Sequence, residues 1–290
     1  MIVQQLITGI SIGSVYALLA VGYALVFSVF NFSNFGFGPV MMLGAFGALF
    51  AIERTHMALV PAILVALAVA GLISLLMEVT IYRPMRQKKA LKVYLMIAAL
   101  GINTCVPNFC IQLWGGAVRP FPSDWAKAVI RIGNVVIPRA DVLAAVLSVI
   151  MLALLWCFLY KTKVGLGIRA SAFDSNTAGL MGINVNRVAA VIFLLSGATA
   201  GLAGCFYGMK YSVYPNMGVV ATKGFVSATV GGLGSLPGAV ISGLLLGFLE
   251  TVISAYVSTT YRDLVAYGLL VVVLIVKPNG LLGQGAYDKL

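Results

Sequence analysis

The chain has 290 residues, 61% of them hydrophobic and only 9% charged, against roughly 25% charged in soluble domains. So few charges cannot build a water-facing surface, which excludes an ordinary soluble enzyme and makes hydrocarbon the solvent for most of the chain. The net charge of +11 would raise nucleic acid in a soluble protein. Here the basic residues lie between apolar runs, where anionic lipid headgroups and the orientation bias of positive loops account for them, and no nucleic-acid partner is expected.

At about 20 apolar residues per crossing, residues 1–290 form one transmembrane domain with room for eight or nine spans. The apolar runs lie at roughly 6–29, 39–52, 57–79, 93–114, 141–160, 187–209, 222–231 with 238–257, and 263–276. The alternating ten-residue segments of a barrel are absent. The expected fold is therefore all-α, a polytopic helical membrane protein with some spans discontinuous. No Lys or Arg precedes the first run, so it reads as a retained helix and not as a secretory leader.

Basic residues set the expected orientation. The connection 80–92 carries Arg83, Arg86, Lys88, Lys89 and Lys92, the connection 161–187 carries Lys161, Lys163, Arg169 and Arg187, and the tail carries Lys277 and Lys289. Placing these eleven of the 19 basic residues inside puts the N-terminus outside and the C-terminus inside. The long loop 115–140, with Arg119, Lys127, Arg131 and Arg139, opposes that bias in part.

Two stretches break the apolar pattern with Gly, Pro and polar residues: Asn31 to Pro39, containing Asn34, Gly36 and Gly38, and Gly231 to Gly238, containing Gly232 and Gly234. Either both are tight cytoplasmic turns, or both are discontinuous helices beside a transport pathway. Irregular backbone at depth needs protein cover or a water-filled cavity. On the second reading Asn31, Asn34, Gly36, Gly38, Gly232 and Gly234, together with Glu250 further along the chain, flank the pathway.

Catalytic chemistry has little to stand on. There is no Gly-x-x-x-x-Gly-Lys-Ser/Thr loop for phosphates, and the single histidine, His56, has no nearby partners for a triad or a zinc site. Cys105, Cys110, Cys157 and Cys205 lie in apolar runs without metal spacing and read as buried apolar side chains. The acids Glu53, Asp124, Asp141, Asp174, Asp263 and Asp288 fall in loops or at span ends. Glu78, near the end of a span, is expected to turn toward Arg83 or the interface. Glu250, within a span, is either a structural pair with a polar neighbour or a substrate contact. A chain this poor in buried charge is badly equipped to couple transport to protons, so its energy should come from a partner.

The connection 161–187 is long for its surroundings. Arg169 to Leu180 can form one short helix whose small residues Ala170, Ala172 and Ala178 would allow another surface to approach. Gly179 and Gly182 suit a helix stop and turn. Either it is a solvated loop, or it is a helix placed to take a push from a soluble motor.

The chain resembles, nearly end to end, the permease subunits of branched-chain amino acid ABC importers. The resemblance runs through Tyr82-Arg-Pro-Met-Arg86, Gly167-Ile-Arg-Ala170, Asp174, Ala178-Gly-Leu-Met-Gly-Ile-Asn184, Ser196-Gly-Ala-Thr-Ala-Gly-Leu-Ala-Gly204, Gly231-Gly-Leu-Gly-Ser-Leu-Pro-Gly238, Gly247 with Glu250, and Lys277-Pro-Asn-Gly-Leu-Leu-Gly283. It implies a multi-pass protein of the bacterial inner membrane with no cofactor of its own. It also implies a second, related permease subunit, two ATPase subunits that use ATP and Mg, and a periplasmic substrate-binding protein. The ATPase contact would be the coupling helix, through Gly167, Arg169, Ala170, Asp174, Ala178, Gly179 and Gly182. The family usually shows Asn-Phe-Ala, then His or Gln, then Gly-Glu, where this chain has Asn34-Phe-Gly-Phe-Gly-Pro39. With Phe37 and Pro39 in place of the polar residue and the carboxylate, the expected substrates extend from branched-chain and related small amino acids to urea, amides or aromatic acids. An ion-coupled carrier is a further alternative.

Overall fold

The computed structural model describes residues 2–122, 128–132 and 135–283. Asp124, Lys127, Asp288 and Lys289, named above, lie outside them. Helix α1 spans Ile2–Phe30 and α2 Phe37–Thr55. Helix α3, Leu59–Met77, runs on through a π-helical turn Glu78–Tyr82 into Arg83–Gln87. Then come α4 Lys92–Trp114, strands β1 Val129–Ile132 and β2 Val135–Pro138, α5 Arg139–Lys161, α6 Lys163–Phe173, α7 Ser175–Leu180 and α8 Val185–Tyr211. A 3-10 segment Pro215–Val220 leads into α9 Ala221–Gly231, followed by α10 Leu236–Tyr256 and α11 Arg262–Val276. Among the described residues eight helices are long and apolar enough to cross a membrane; α9 is too short to do so. The bundle is helical as the composition requires.

One feature departs from an all-α chain. Strands β1 and β2 pair antiparallel, Ile130 opposite Ile137, with Gly133-Asn134 between them in sequence, a pairing of residue types that favours hairpin turns. Gln4 grips this hairpin through Val136, donating to its carbonyl at 2.5 Å and accepting from its N–H at 3.1 Å. The hairpin therefore sits beside the start of α1. We call this the hairpin end, and the opposite one, which carries residues 83–92 and 162–184, the basic end.

Association of helices in lipid depends on close packing, because lipid tails are as apolar as leucine. The sequence supplies small residues for it. Gly9 and Gly13 on α1 meet Gly243 and Gly247 on α10, so that a Cβ on Gly13 would stand 2.9 Å from the Leu244 Cα. Helix α8 presents Gly197 and Gly201 to Ala66, Ala70 and Gly71 of α3, and Gly204 to Met41 of α2. Helices α1, α2 and α8 form the buried centre, while α4, α5 and α11 are largely exposed on the outside.

The two sequence interruptions sit differently. Phe37, the first residue of α2, stacks on Tyr23 at 4.7 Å, and Tyr23 is two turns above the end of α1, about 10 Å at 1.5 Å per residue. Residues 31–36 thus fold back along α1, and α2 starts about two turns inside that helix's end. In contrast, Gly231–Gly238 is a tight turn at the basic end: Gly231 lies against Gly238, and Gly234 against Ser28 near the end of α1. The second break at depth comes earlier, at 212–220. Gly224 packs on Leu19 and Ala20 of α1, about 16 Å from that helix's end, so α9 begins near mid-bundle as a half-helix. The expectation of two paired interruptions holds for the first and shifts for the second. The Gly and Pro of 231–238 serve a turn, while Ser212, at φ 114, and Pro215 mark the real break.

Candidate functional site

Three constellations stand out, and the first is at the basic end. Thr162 caps α6 by accepting from the Gly165 N–H at 3.0 Å. Asp174 does not leave the 169–180 stretch as one helix. Its backbone turns extended and its carboxylate accepts from the Asn176 N–H at 2.9 Å and from the Thr177 hydroxyl, which ends α6 and starts α7. Those bonds, the Thr177 one foremost, hold the Asp174 carboxyl below its ordinary pKa. Gly182, at φ +86, closes α7 by donating to the Gly179 carbonyl at 3.1 Å, and Asn184 caps α8 through the Arg187 N–H at 3.1 Å. The guanidinium of Arg169 lies over the Tyr160 ring at 4.8 Å.

The exposure of this helix pair changes the picture drawn from small residues. Ala178 is buried in its own chain, and Ala170 and Ala172 are half-buried. Outward face Phe173, Leu180 at 89% exposure and Met181 at 80%. Sequence reasoning missed these three; the signal was apolar side chains in a connection that belongs to no span. Beside the pair a crevice of about 380 Å³ is lined by Ser28, Asn31, Arg169, Phe173, Gly234 and Ser235, among others. Gly232 lies behind it, packed on Gly280 and Gly283.

The second constellation is the junction where both broken segments meet. Helix α2 runs toward the hairpin end from Phe37 and α9 toward the basic end from Ala221, and their starts touch: a Cβ on Gly38 would stand 2.6 Å from the Gly218 carbonyl oxygen. Only glycine permits that approach of backbones. Asn34 sets the turn before α2, accepting from the Gly36 N–H at 3.1 Å and from the Tyr82 hydroxyl at 2.7 Å. Phe37 is fully buried and Pro39 buried, and proline in a first helical turn removes no helical hydrogen bond. The departure at these two positions thus packs the re-entrant start.

The third is a chain of ion pairs in the half nearer the hairpin. Glu250 accepts from the Tyr16 hydroxyl at 2.8 Å and pairs with Lys223 at 2.8 Å, which also reaches Asp263 at 2.9 Å. Asp141 pairs with Lys210 at 2.7 Å and accepts from Ser11 at 2.9 Å. Glu250 is thus paired within the bundle, and Lys223 holds the half-helix α9 to α10 and α11. Glu78 pairs with Arg86, not Arg83, and Arg86 lies over the Phe30 ring at 4.3 Å. His56 ends α2 in a left-handed conformation. Of the cysteines, Cys110 and Cys205 are buried as expected, but Cys105 and Cys157 are exposed.

A bundle of eight spans with two re-entrant starts and an apolar-tipped helix pair outside it defines a multi-pass helical membrane protein of the transport class. The chain belongs to the family described as branched-chain amino acid transport system / permease component, whose model matches residues 5–274. It is 34% identical to the high-affinity branched-chain amino acid transport system permease protein LivH of Escherichia coli K12, over 99% of this chain and 97% of that one. It is 33% identical to the corresponding protein BraD of Pseudomonas aeruginosa over the same shares. The ribose import permease protein RbsC of Haemophilus influenzae is 27% identical over 92% of this chain and 82% of that one. Among solved structures, PsaBC from Streptococcus pneumoniae in complex with Fab shares the fold at a TM-score of 0.50 and 15% identity, covering 95% of this chain and 91% of that chain.

Proposed function

We propose that this chain is the membrane-spanning permease subunit of an ATP-driven importer for branched-chain or related small amino acids. Relatives named for branched-chain amino acid transport, alike over nearly the whole chain, support the substrate class. The observation that carries the mechanism is the α6–α7 pair. Two capped helices project from the basic end and present Phe173, Leu180 and Met181 to the outside. Exposed apolar tips on a polar connection suit insertion into a groove of a soluble partner.

In this reading α6 and α7 are the coupling element, the basic end faces the cytoplasm, and the N-terminus is periplasmic. ATP and Mg are bound and used by two ATPase subunits, a second related permease completes the pathway, and a periplasmic binding protein delivers the amino acid. Gly167, Arg169, Ala170, Asp174, Ala178, Gly179 and Gly182 shape the coupling element while the three apolar tips dock. The pathway runs beside the re-entrant junction of Asn34, Gly36, Gly38 and Gly218, with Asn31, Gly232 and Gly234 at its basic-end mouth. Glu250 belongs to the supporting ion pairs.

The test is copurification of ATPase subunits with Leu180→Asp and Met181→Asp variants. Loss of at least ten-fold of bound ATPase, at unchanged membrane abundance, supports the reading. Undiminished ATPase binding by the double variant contradicts it.

A further inference from the structure

Helix α4 packs against the re-entrant junction through Ile102 and Asn103, and its outer face carries one polar stripe. Its inner edge buries Leu95, Ala99, Pro107 and Cys110, and it touches α2 and the 3-10 segment Pro215–Val220. Its opposite face exposes Gly101, Thr104, Cys105, Asn108 and Gln112. At spacings of three and four residues these fall on one stripe, about 16 Å long. Ile97, Leu100, Phe109 and Leu113 are exposed beside it, and the other outer spans expose hydrocarbon: Leu64 and Leu72 on α3, Val149 and Leu154 on α5, Val271 and Val272 on α11.

The polar atoms of this stripe point to a ligand. Asn108 spends its amide donor on the Thr104 carbonyl at 2.7 Å, and Thr104 spends its hydroxyl on the Leu100 carbonyl at 3.1 Å. That leaves the Asn108 amide oxygen and the whole Gln112 amide without a partner among the described residues. Unsatisfied amides in hydrocarbon cost several kcal/mol each, roughly 2–7 by transfer measurements. This face is therefore ill suited to lipid. The inner edge packs on α2 and the 3-10 segment, so α4 is the protein that covers those irregular segments and stands between them and the space this face lines.

We infer that α4 forms a wall of the translocation pathway, with Thr104, Asn108 and Gln112 as successive uncharged rungs that accept from the ammonium group of a zwitterionic amino acid. The inference rests on the transport reading above. Neutral acceptors suit passage, since a site must bind well enough to admit the solute and weakly enough to release it.

The test uses the assembled transporter in proteoliposomes, with single cysteines Thr104→Cys, Asn108→Cys and Gln112→Cys in a chain freed of its native cysteines. Val149→Cys and Val272→Cys serve as lipid-side controls. A membrane-impermeant cationic methanethiosulfonate should modify the three at least ten-fold faster than the controls, and saturating leucine with binding protein should slow that reaction. Reaction no faster than the controls overturns the inference, as does inertness to the reagent with disulfide cross-linking to the partner permease, which would make the stripe a helix–helix contact. Should the cysteine-free chain fail to assemble, alkylation of Cys105 in the unmodified complex, read by peptide mass, gives the same two answers. ATP-driven uptake measured on the same vesicles separates the two failures. Uptake with an inert stripe sinks the inference alone, whereas a reactive stripe without ATP-driven amino acid uptake sinks the transport reading, and with it the inference.

Discussion

At the scale of single residues, Lys223 bears the heaviest electrostatic duty. It stands between Glu250 and Asp263, and Glu250 is buried. Removing one partner of a buried pair leaves the other charge uncompensated, at a cost of about 3 kcal/mol or more. Lys223→Met should therefore lower the thermal midpoint of the detergent-solubilised protein clearly, while the double variant Lys223→Met, Glu250→Gln recovers most of the loss. A double variant as unstable as the single would show that the pairing is not the source. Asp174 acts by a different route. Its depressed carboxyl is ionised, and its cap on α7 is present, above the ordinary carboxylate pKa of about 3.9, being lost only as the pH falls through the lower folded value. ATPase binding should accordingly be flat from pH 5 to 8, and a fall within that range would mean some other group controls the helix pair. Ala178 illustrates how far residue type alone can be read. Its smallness suggested a docking surface, but it is small because it packs inward, which a sequence without contacts cannot distinguish. Ala178→Trp should thus lower membrane abundance, whereas Leu180→Asp should not.

At the scale of elements, the spans were legible because twenty-residue apolar runs have no other stable use, and the boundaries of α4, α5 and α8 fall within a few residues of the runs that announced them. The re-entrant start of α2 was legible too, since Asn31–Pro39 is irregular and ends in proline. The half-helix α9 was not. Its beginning is defined by contact between Gly218 and Gly38, residues remote in sequence, while the more conspicuous Gly-Pro cluster at 231–238 serves a surface turn. The hairpin at 129–138 was hidden by its shortness and by the charges around it. Substitution at the junction should be severe. Gly38→Leu would drive a branched side chain into the Gly218 backbone and should abolish uptake, whereas Val272→Leu on the exposed face of α11 should leave it near normal. Wild-type uptake by the Gly38 variant would remove the junction from the pathway. Packing of α1 on α10 follows the same logic: Gly13→Val should reduce the yield of folded protein, because GxxxG faces admit no branched side chain.

At the scale of the whole molecule, the distribution of function along the bundle axis is the central result. The α6–α7 pair lies at the basic end, a junction of two broken helices lies within, and ion pairs tie the half-helix to its neighbours nearer the hairpin. Family membership agrees with that layout, but neither the energy source nor the orientation is a property of the isolated chain, so both are claims about the assembly. Orientation is tested by cysteines at Met57 and Lys88: an impermeant reagent added to intact cells should label the first and spare the second. The most direct test of the account is uptake in proteoliposomes containing this chain, its partner permease and the ATPase subunits, supplied with the binding protein and radiolabelled leucine. The account predicts accumulation that requires ATP on the coupling-helix side and persists when proton and sodium gradients are collapsed. Uptake that proceeds without ATP and stops when those gradients are collapsed would contradict it.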